Sequence, residues 1–431
     1  MFIIYDFIFL IIALVYLPVY LFRRKFHAGF KMRFGVLPSG LKLNRPIWIH
    51  AVSVGEVMAV KNLIGELRAS YPEKHFFIST VTPTGNKIAR SIAKENDFVA
   101  YFPLDLSFVV RRVVDKIQPS LFIVTETEIW PNLILCLYQK KIPIVLVNGR
   151  VSDRSFKGYL NIKFLLKPIL NRINLFCVQT KRDAERLFRL GVTEDRILIT
   201  GNMKFDNTVS SDKKISDSAD KYRGLLGMNP EDKLWVCGST HPGEEEIILD
   251  VYKKLLSDFP QLKLLIAPRH PERAGQIEEA ASKSGFRSTL VSALPGKPCN
   301  CISKCVFILD VIGELVYFYN IANIVFVGGS LIKKGGHNIL EPASLGKPVI
   351  TGPYMFNFRD IAGLFQENKA CLLGHNKEDL LASIKDLLRN PDKCIQLGQR
   401  AKEIILQNQG ATARNLECIS NYLSKEEGGI K

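Results

Sequence analysis

The chain has 431 residues, 47% hydrophobic and 23% charged, which is the composition of an ordinary globular protein long enough for two domains with ample cores. Its formal charge of +16 calls for an anionic partner: nucleic acid, a membrane surface or a phosphorylated substrate. Nine cysteines lack the density and spacing of a secreted disulfide scaffold, so a reducing compartment is expected.

Residues 2–22 are apolar apart from Asp6 and Pro18, and no small-residue cleavage site follows. A run of roughly 20 apolar residues suffices to cross a bilayer as a helix. Arg23, Arg24, Lys25, Lys31 and Arg33 come next, which by the positive-inside rule leaves the rest of the chain in the cytoplasm. The segment is expected to tether the protein to a membrane, as a span or as an interfacial helix.

A short strand at Pro46–Ala51 then enters a small-residue turn, Ser53-Val54-Gly55-Glu56, followed by a helix from Val57 to Ser70. The rhythm repeats with strands at 76–80, 99–102, 121–125, 144–147, 175–179 and 197–200, separated by helical stretches of about a dozen residues. Gly201–Asp206 ends the first half, and the polar tract 210–221 is predicted to be a linker. Strands at 234–237, 263–266, 286–291, 306–309 and 324–327 continue the pattern, and amphipathic helices at 377–389 and 412–422 close the chain. Parallel sheets covered by helices on both faces follow: an α/β protein with two Rossmann-like domains facing a cleft. The expected divisions are 1–22 for the anchor, 23–208 for the first domain and 209–431 for the second.

The strand ends carry more polar residues than turns require. In the first half these are Glu56, Glu126 and Glu128, then Asn148-Gly149-Arg150, then Lys204. A glutamate at a helix start is ordinarily a complement to the helix dipole, whereas several acids converging on one sheet edge can supply a general base. In the second half, Gly328 to Ala343 joins a buried strand through paired glycines to a helix, with Asn338 as N-cap and Glu341 three residues on. Backbone N–H groups of such a corner can approach a phosphate, although a turn that binds nothing has the same glycines. His337, Asn338 and Glu341 add groups that can pair with sugar hydroxyls or a base edge. Arg269, in Pro268-Arg269-His270-Pro271-Glu272-Arg273, can contact a phosphate or pair with Glu272. No Walker loop or GxGxxG follows the first strand, which removes support for ATP hydrolysis and dinucleotide chemistry. Cys299, Cys301 and Cys305 lack the spacing of a zinc site, so no metal is expected. Lysines and arginines are scattered and not interleaved with aromatic residues, which argues against nucleic acid.

At these residues the chain resembles the Kdo (3-deoxy-D-manno-octulosonic acid) transferases of lipid A biosynthesis, which have a GT-B fold. The matching segments are 51–56, 126–131, 148–150, 201–206, 238–245, 268–273, 312–315, 328–342, 352–353 and 356–358, with Val311 where the pattern has threonine. The resemblance implies transfer of Kdo from CMP-Kdo to a tetra-acylated lipid A precursor at the cytoplasmic face of a bacterial inner membrane, without a cofactor. It maps the base to Glu56 and transition-state stabilisers to Glu126 and Lys204. It maps CMP contacts to Pro268 and Arg269, to Ile312, Gly313 and Glu314, and to Asn338, Ile339, Leu340 and Glu341. A GT-B transferase or epimerase using a UDP-sugar is the alternative.

Overall fold

The structure is a computed structural model, and the description covers residues 5–7, 9–11, 15, 29–208, 213–294 and 305–427. The chain divides into two compact units, Met1–Asn207 with Asn408–Lys431, and Thr208–Gln407.

The first unit is built on apolar runs that, apart from the exposed edge strand Ile197–Ile199, are largely buried on both faces, as a helix-covered parallel sheet requires. They form β1 (Ile47–His50), β2 (Phe76–Thr80), β3 (Phe98–Tyr101), β4 (Leu121–Thr125), β5 (Ile144–Gly149), β6 (Leu175–Val178) and β7 (Ile197–Ile199). The sheet is parallel, in the order β3-β2-β1-β4-β5-β6-β7. β1 is central and wholly buried; Trp48 meets Phe77 and Phe122 edge-to-face at centroid distances of 5.3 and 5.1 Å. Local signals set the helix limits. Thr82 accepts from the Gly85 N–H ahead of Pro83, and Thr180 accepts from the Asp183 N–H at the start of Lys181–Leu190, which Gly191 ends at φ +100°.

The second unit repeats the design with β8 (Lys233–Thr240), β9 (Leu262–Pro268), β10 (Arg287–Leu290), β11 (Cys305–Ile308), β12 (Ile324–Val327), β13 (Val349–Thr351) and β14 (Leu372–Leu373). Its order is β10-β11-β9-β8-β12-β13-β14, again parallel throughout. The chain crosses to the other side of its starting strand between β1 and β4 in the first sheet and between β8 and β12 in the second. Ligands of open α/β sheets bind at the carboxyl ends of strands beside such a point.

Two expectations need correction. The division at 208 places the last helix, Ala411–Glu427, in the second domain. Its Ala411, Ile419 and Leu423 are instead buried in the first unit's core with Val60, Leu63 and Ile64. Asp206 fastens it by accepting the Gly410 N–H at 2.7 Å. The tract 210–221 is not simply a linker: Lys213–Ser216 and Ala219–Leu225 are helical, and Tyr222 is buried, while 209–212 lie outside the described residues.

No helix among the described residues is long and apolar enough to cross a membrane, and most of 2–22 lies outside them. Of that segment, Asp6 accepts from the Ser107 N–H at 3.0 Å and from Asn132 Nδ2 at 2.7 Å. The acid that interrupts the apolar run therefore has a partner set in the first unit, whereas Phe7 and Val15 are 66% and 69% exposed. Cys299 and Cys301 also lie outside the described residues, and Cys305 is buried on β11.

Candidate active site

The first unit gathers its acids beyond β1 and β4. Glu56 lies in the first turn of the helix Val54–Ser70, only 7% exposed, where it accepts the Val52 N–H at 2.9 Å and the Ser53 hydroxyl at 3.1 Å. Burial raises its pKa to about 7; the charge of Glu126 adds to the rise and the two hydrogen bonds oppose it. Glu128 is also pushed up, by burial and then by Glu126. Such a carboxyl is poised to exchange a proton near neutral pH.

Glu126 adopts φ +58° directly after β4 and is held there by its N–H to the Val147 carbonyl at 2.9 Å. A left-handed conformation in a residue other than glycine stores strain, of order 1–3 kcal/mol, and such strain clusters at functional sites. Lys204 Nζ lies 3.2 Å from Glu126 Oε1. The turn that carries Lys204, Met203–Phe205, is positioned by the fully buried Asn148, whose Oδ1 accepts the Met203 N–H at 3.0 Å. Asn148 is itself left-handed, at φ +54°. The structure thus brings Glu56, Glu126 and Lys204 together and gives Asn148 the task of placing the third.

Beneath them lies a cluster that sequence reasoning missed. His50, the last residue of β1, is fully buried, stacks on Phe102 at 3.9 Å and has its pKa lowered to about 3 by burial. Its Nε2 and the Trp130 Nε1 are buried without a hydrogen-bond partner among the described residues. Its position between apolar strand residues is the one signal that could have marked it.

In the second unit the expected donor residues lie at or beyond the carboxyl ends of three strands. Pro268 ends β9, and Arg269 follows it exposed. Arg269 does not pair with Glu272, whose carboxylate lies 3.4 Å from His270 Nδ1. Ile312 is 84% exposed beyond β11, Gly313 follows at φ +92°, and Glu314 precedes the helix Leu315–Ile321. Beyond β12, Ile339 and Leu340 are buried where the short helix Leu340–Ser344 begins. Asn338, expected as the N-cap, lies one residue before the observed N-cap Ile339; its Oδ1 accepts the Leu340 N–H at 3.1 Å and its Nδ2 donates to Glu341 Oε1 at 3.1 Å, which fixes Glu341.

The glycine corner differs from expectation. The N–H groups of Gly329, Ser330 and Leu331 are committed to a carboxylate within the protein. Glu244, fully buried, accepts from Gly329 N–H at 2.7 Å and from Ser330 and Leu331 N–H at 3.0 Å each, as well as from His241 N–H at 3.0 Å. Gly328 N–H donates to the Gly238 carbonyl at 2.8 Å. Glycine is needed at 328 because a Cβ there would lie 2.6 Å from the Ser239 carbonyl oxygen. The first part of the loop is held by a carboxylate three residues beyond His241.

Comparison with known proteins fits this arrangement. Residues 28–207 match the family described as 3-deoxy-D-manno-octulosonic-acid transferase (kdotransferase), and residues 299–404 match glycosyl transferases group 1. The chain is 38% identical over 384 residues to a 3-deoxy-D-manno-octulosonic acid transferase of Haemophilus influenzae, covering 88% of this chain and 87% of the relative. It is 32% identical over 385 residues to one of Rickettsia felis, covering 88% and 79%. Among solved structures, a glycosyltransferase from Rickettsia africae superposes with a TM-score of 0.56 at 16% identity, covering 88% of this chain and 99% of the other. A UDP-GlcNAc 2-epimerase from Neisseria meningitidis superposes at 0.55 and 14%, covering 88% and 100%. At such identities the structures speak for the fold alone, two Rossmann-like parallel-sheet units of GT-B type. With the fold, the motif positions and these relatives in agreement, the chain belongs to the 3-deoxy-D-manno-octulosonic acid transferase family and is a glycosyltransferase.

Proposed function

We propose that the enzyme transfers Kdo from CMP-Kdo to a lipid A precursor by a single inverting displacement, with Glu56 as general base. The observation that carries the reading is Glu56 itself: a buried carboxyl beside the switch point of the first sheet, oriented by two hydrogen bonds and raised to about 7. As carboxylate it takes the proton from the acceptor hydroxyl while that oxygen attacks the anomeric carbon. The bond from that carbon to the phosphate oxygen breaks, its electron pair leaves with CMP, and positive charge develops on the sugar. Glu126 and Lys204 stabilise that charge distribution as a pair, the carboxylate toward the sugar and the ammonium toward anionic groups. Pro268, Arg269, Ile312 to Glu314 and Asn338 to Glu341 hold the nucleotide, and the reading needs no cofactor.

The donor is tested by nucleotide preference. Calorimetric titration is expected to show CMP binding and no competition by UDP; binding of UDP with no response to CMP would replace this reading with a UDP-sugar enzyme.

The acceptor places the reaction at the cytoplasmic face of the inner membrane. Exposed Phe7, Leu10, Ile11 and Val15, next to the basic residues 23–33, support contact with an anionic lipid surface. The full chain is expected to float with vesicles containing anionic lipid, and a chain lacking 2–22 to remain below. Equal flotation of the two would remove the anchoring role.

A further inference from the structure

Asp6 is the acid that interrupts the apolar run 2–22, and its carboxylate is engaged by the first unit. It accepts the Ser107 N–H at 3.0 Å, the Ser107 hydroxyl, and Asn132 Nδ2 at 2.7 Å. Ser107 opens the helix Ser107–Ile117, whose own N-cap, Leu106, makes no side-chain bond, so Asp6 caps that helix from 101 positions away. Beside it the Tyr5 hydroxyl donates to Asp105, which also accepts the Asn132 and Leu133 N–H groups at 3.1 and 2.9 Å.

The chain then returns to the same place. A Cβ at Gly29 would lie 1.9 Å from Tyr101 Cδ2, and the Arg33 carbonyl accepts the Leu104 N–H at 2.7 Å. Leu104 and Ser107 are three positions apart, no more than roughly 11 Å along even an extended chain. A single pass between Asp6 and Arg33 would set these two residues on opposite faces of a hydrocarbon layer about 30 Å thick. Two passes need about 20 helical residues each, more than lie between Asp6 and Gly29. Both ties therefore fall on one side of a bilayer.

The helical turns around Asp6 have two faces. Tyr5, Asp6 and Phe9 are half-buried, whereas Phe7, Leu10, Ile11 and Val15 are exposed at the i, i+3, i+4 and i+8 positions of one stripe. Next to the tie, Phe108 is 62% exposed, and Arg111 and Arg112 are exposed one turn further along the same helix face. These three residues line a groove together with Ser107 and Asn132, the partners of Asp6.

We propose that Asp6 locks the amino-terminal helical turns flat against an anionic lipid surface, so that the chain does not cross the bilayer there. Phe7, Leu10, Ile11, Val15 and Phe108 enter the interface, and Arg111 and Arg112 meet the headgroups. An acid is costly in hydrocarbon, whereas here it stays on the side of the first unit with its hydrogen bonds made. The proposal rests on the reading that the enzyme is held at a membrane, and it names how.

The test places a short protease-cleavable tag ahead of Met1 of the full chain in inside-out inner-membrane vesicles. Added protease is expected to remove the tag without detergent. A tag protected until detergent dissolves the bilayer overturns the proposal by showing a span, and leaves membrane attachment standing. Arg111→Glu combined with Arg112→Glu is expected to lower flotation with phosphatidylglycerol vesicles several-fold. Unchanged flotation overturns the assignment of this face to lipid, and loss of a dimer in light scattering at the same time would give the face to a second copy of the chain. Asp6→Ala, which leaves the Ser107 N–H unmet, is expected to lower the thermal midpoint of the first unit by roughly 2–4 °C, and an unmoved midpoint removes the lock. Failure of the full chain to float overturns both this proposal and the attachment it rests on.

Discussion

Burial, the charges of Glu126 and Glu128 and two hydrogen bonds set the character of Glu56. The Val52 N–H and the Ser53 hydroxyl favour its carboxylate, while burial and Glu126 favour the acid. The proposed base must be ionised to act, so kcat/KM is expected to rise with pH below about 7 and level off above it. Glu126→Gln removes one of the influences that raise the pKa. The midpoint of that rise should move to lower pH, whatever the variant loses in rate, and an unmoved midpoint would show that Glu126 does not act on Glu56 electrostatically. At this scale the sequence was informative about position: Glu56, Glu126 and Lys204 stood at strand ends and are brought together. It was silent on Asn148 as the residue that places Lys204, because that bond joins positions 55 apart.

Among elements, the loop after β12 shows how a motif can be located and its physics misread. Strand, glycines and short helix were all visible in 324–344. What a sequence could not supply was the destination of the loop N–H groups, which a carboxylate 85 residues earlier satisfies. Glu244 is held in its place at a cost: burial raises its pKa, and four backbone N–H groups work against that rise. Glu244→Ala leaves three loop N–H groups unmet and is expected to destabilise the second unit by about 3–5 kcal/mol, seen as a lower thermal midpoint for its unfolding. Glu244→Gln, which keeps an acceptor oxygen, should lose less. An alanine variant that melts like the wild type would mean that the carboxylate does not hold the loop. The strands were legible because an apolar run bounded by turn residues has one reading in a parallel sheet. Helices such as Asp153–Asn161 and Lys163–Leu170 were not, since one is largely polar and the other contains Pro168.

For the whole molecule, two parallel sheets with site residues at their carboxyl ends followed from the alternation of strands and helices. The return of Ala411–Glu427 to the first unit did not. An amphipathic pattern states that one face is apolar and leaves its partner open, and the partner here, the helix Val54–Ser70, lies more than 340 positions earlier. That packing joins the end of the chain to the helix that carries Glu56. The division of labour proposed for the molecule, chemistry in the first unit and nucleotide in the second, is tested most directly by product mass. Wild type and Glu56→Gln, each shown to be folded and to bind CMP, are incubated with CMP-Kdo and lipid A precursor. The account predicts Kdo-bearing product from the wild type and a loss of roughly a hundred- to ten-thousand-fold in rate for the variant. Transfer at the normal rate by Glu56→Gln, or no Kdo-bearing product from the wild type, would contradict it.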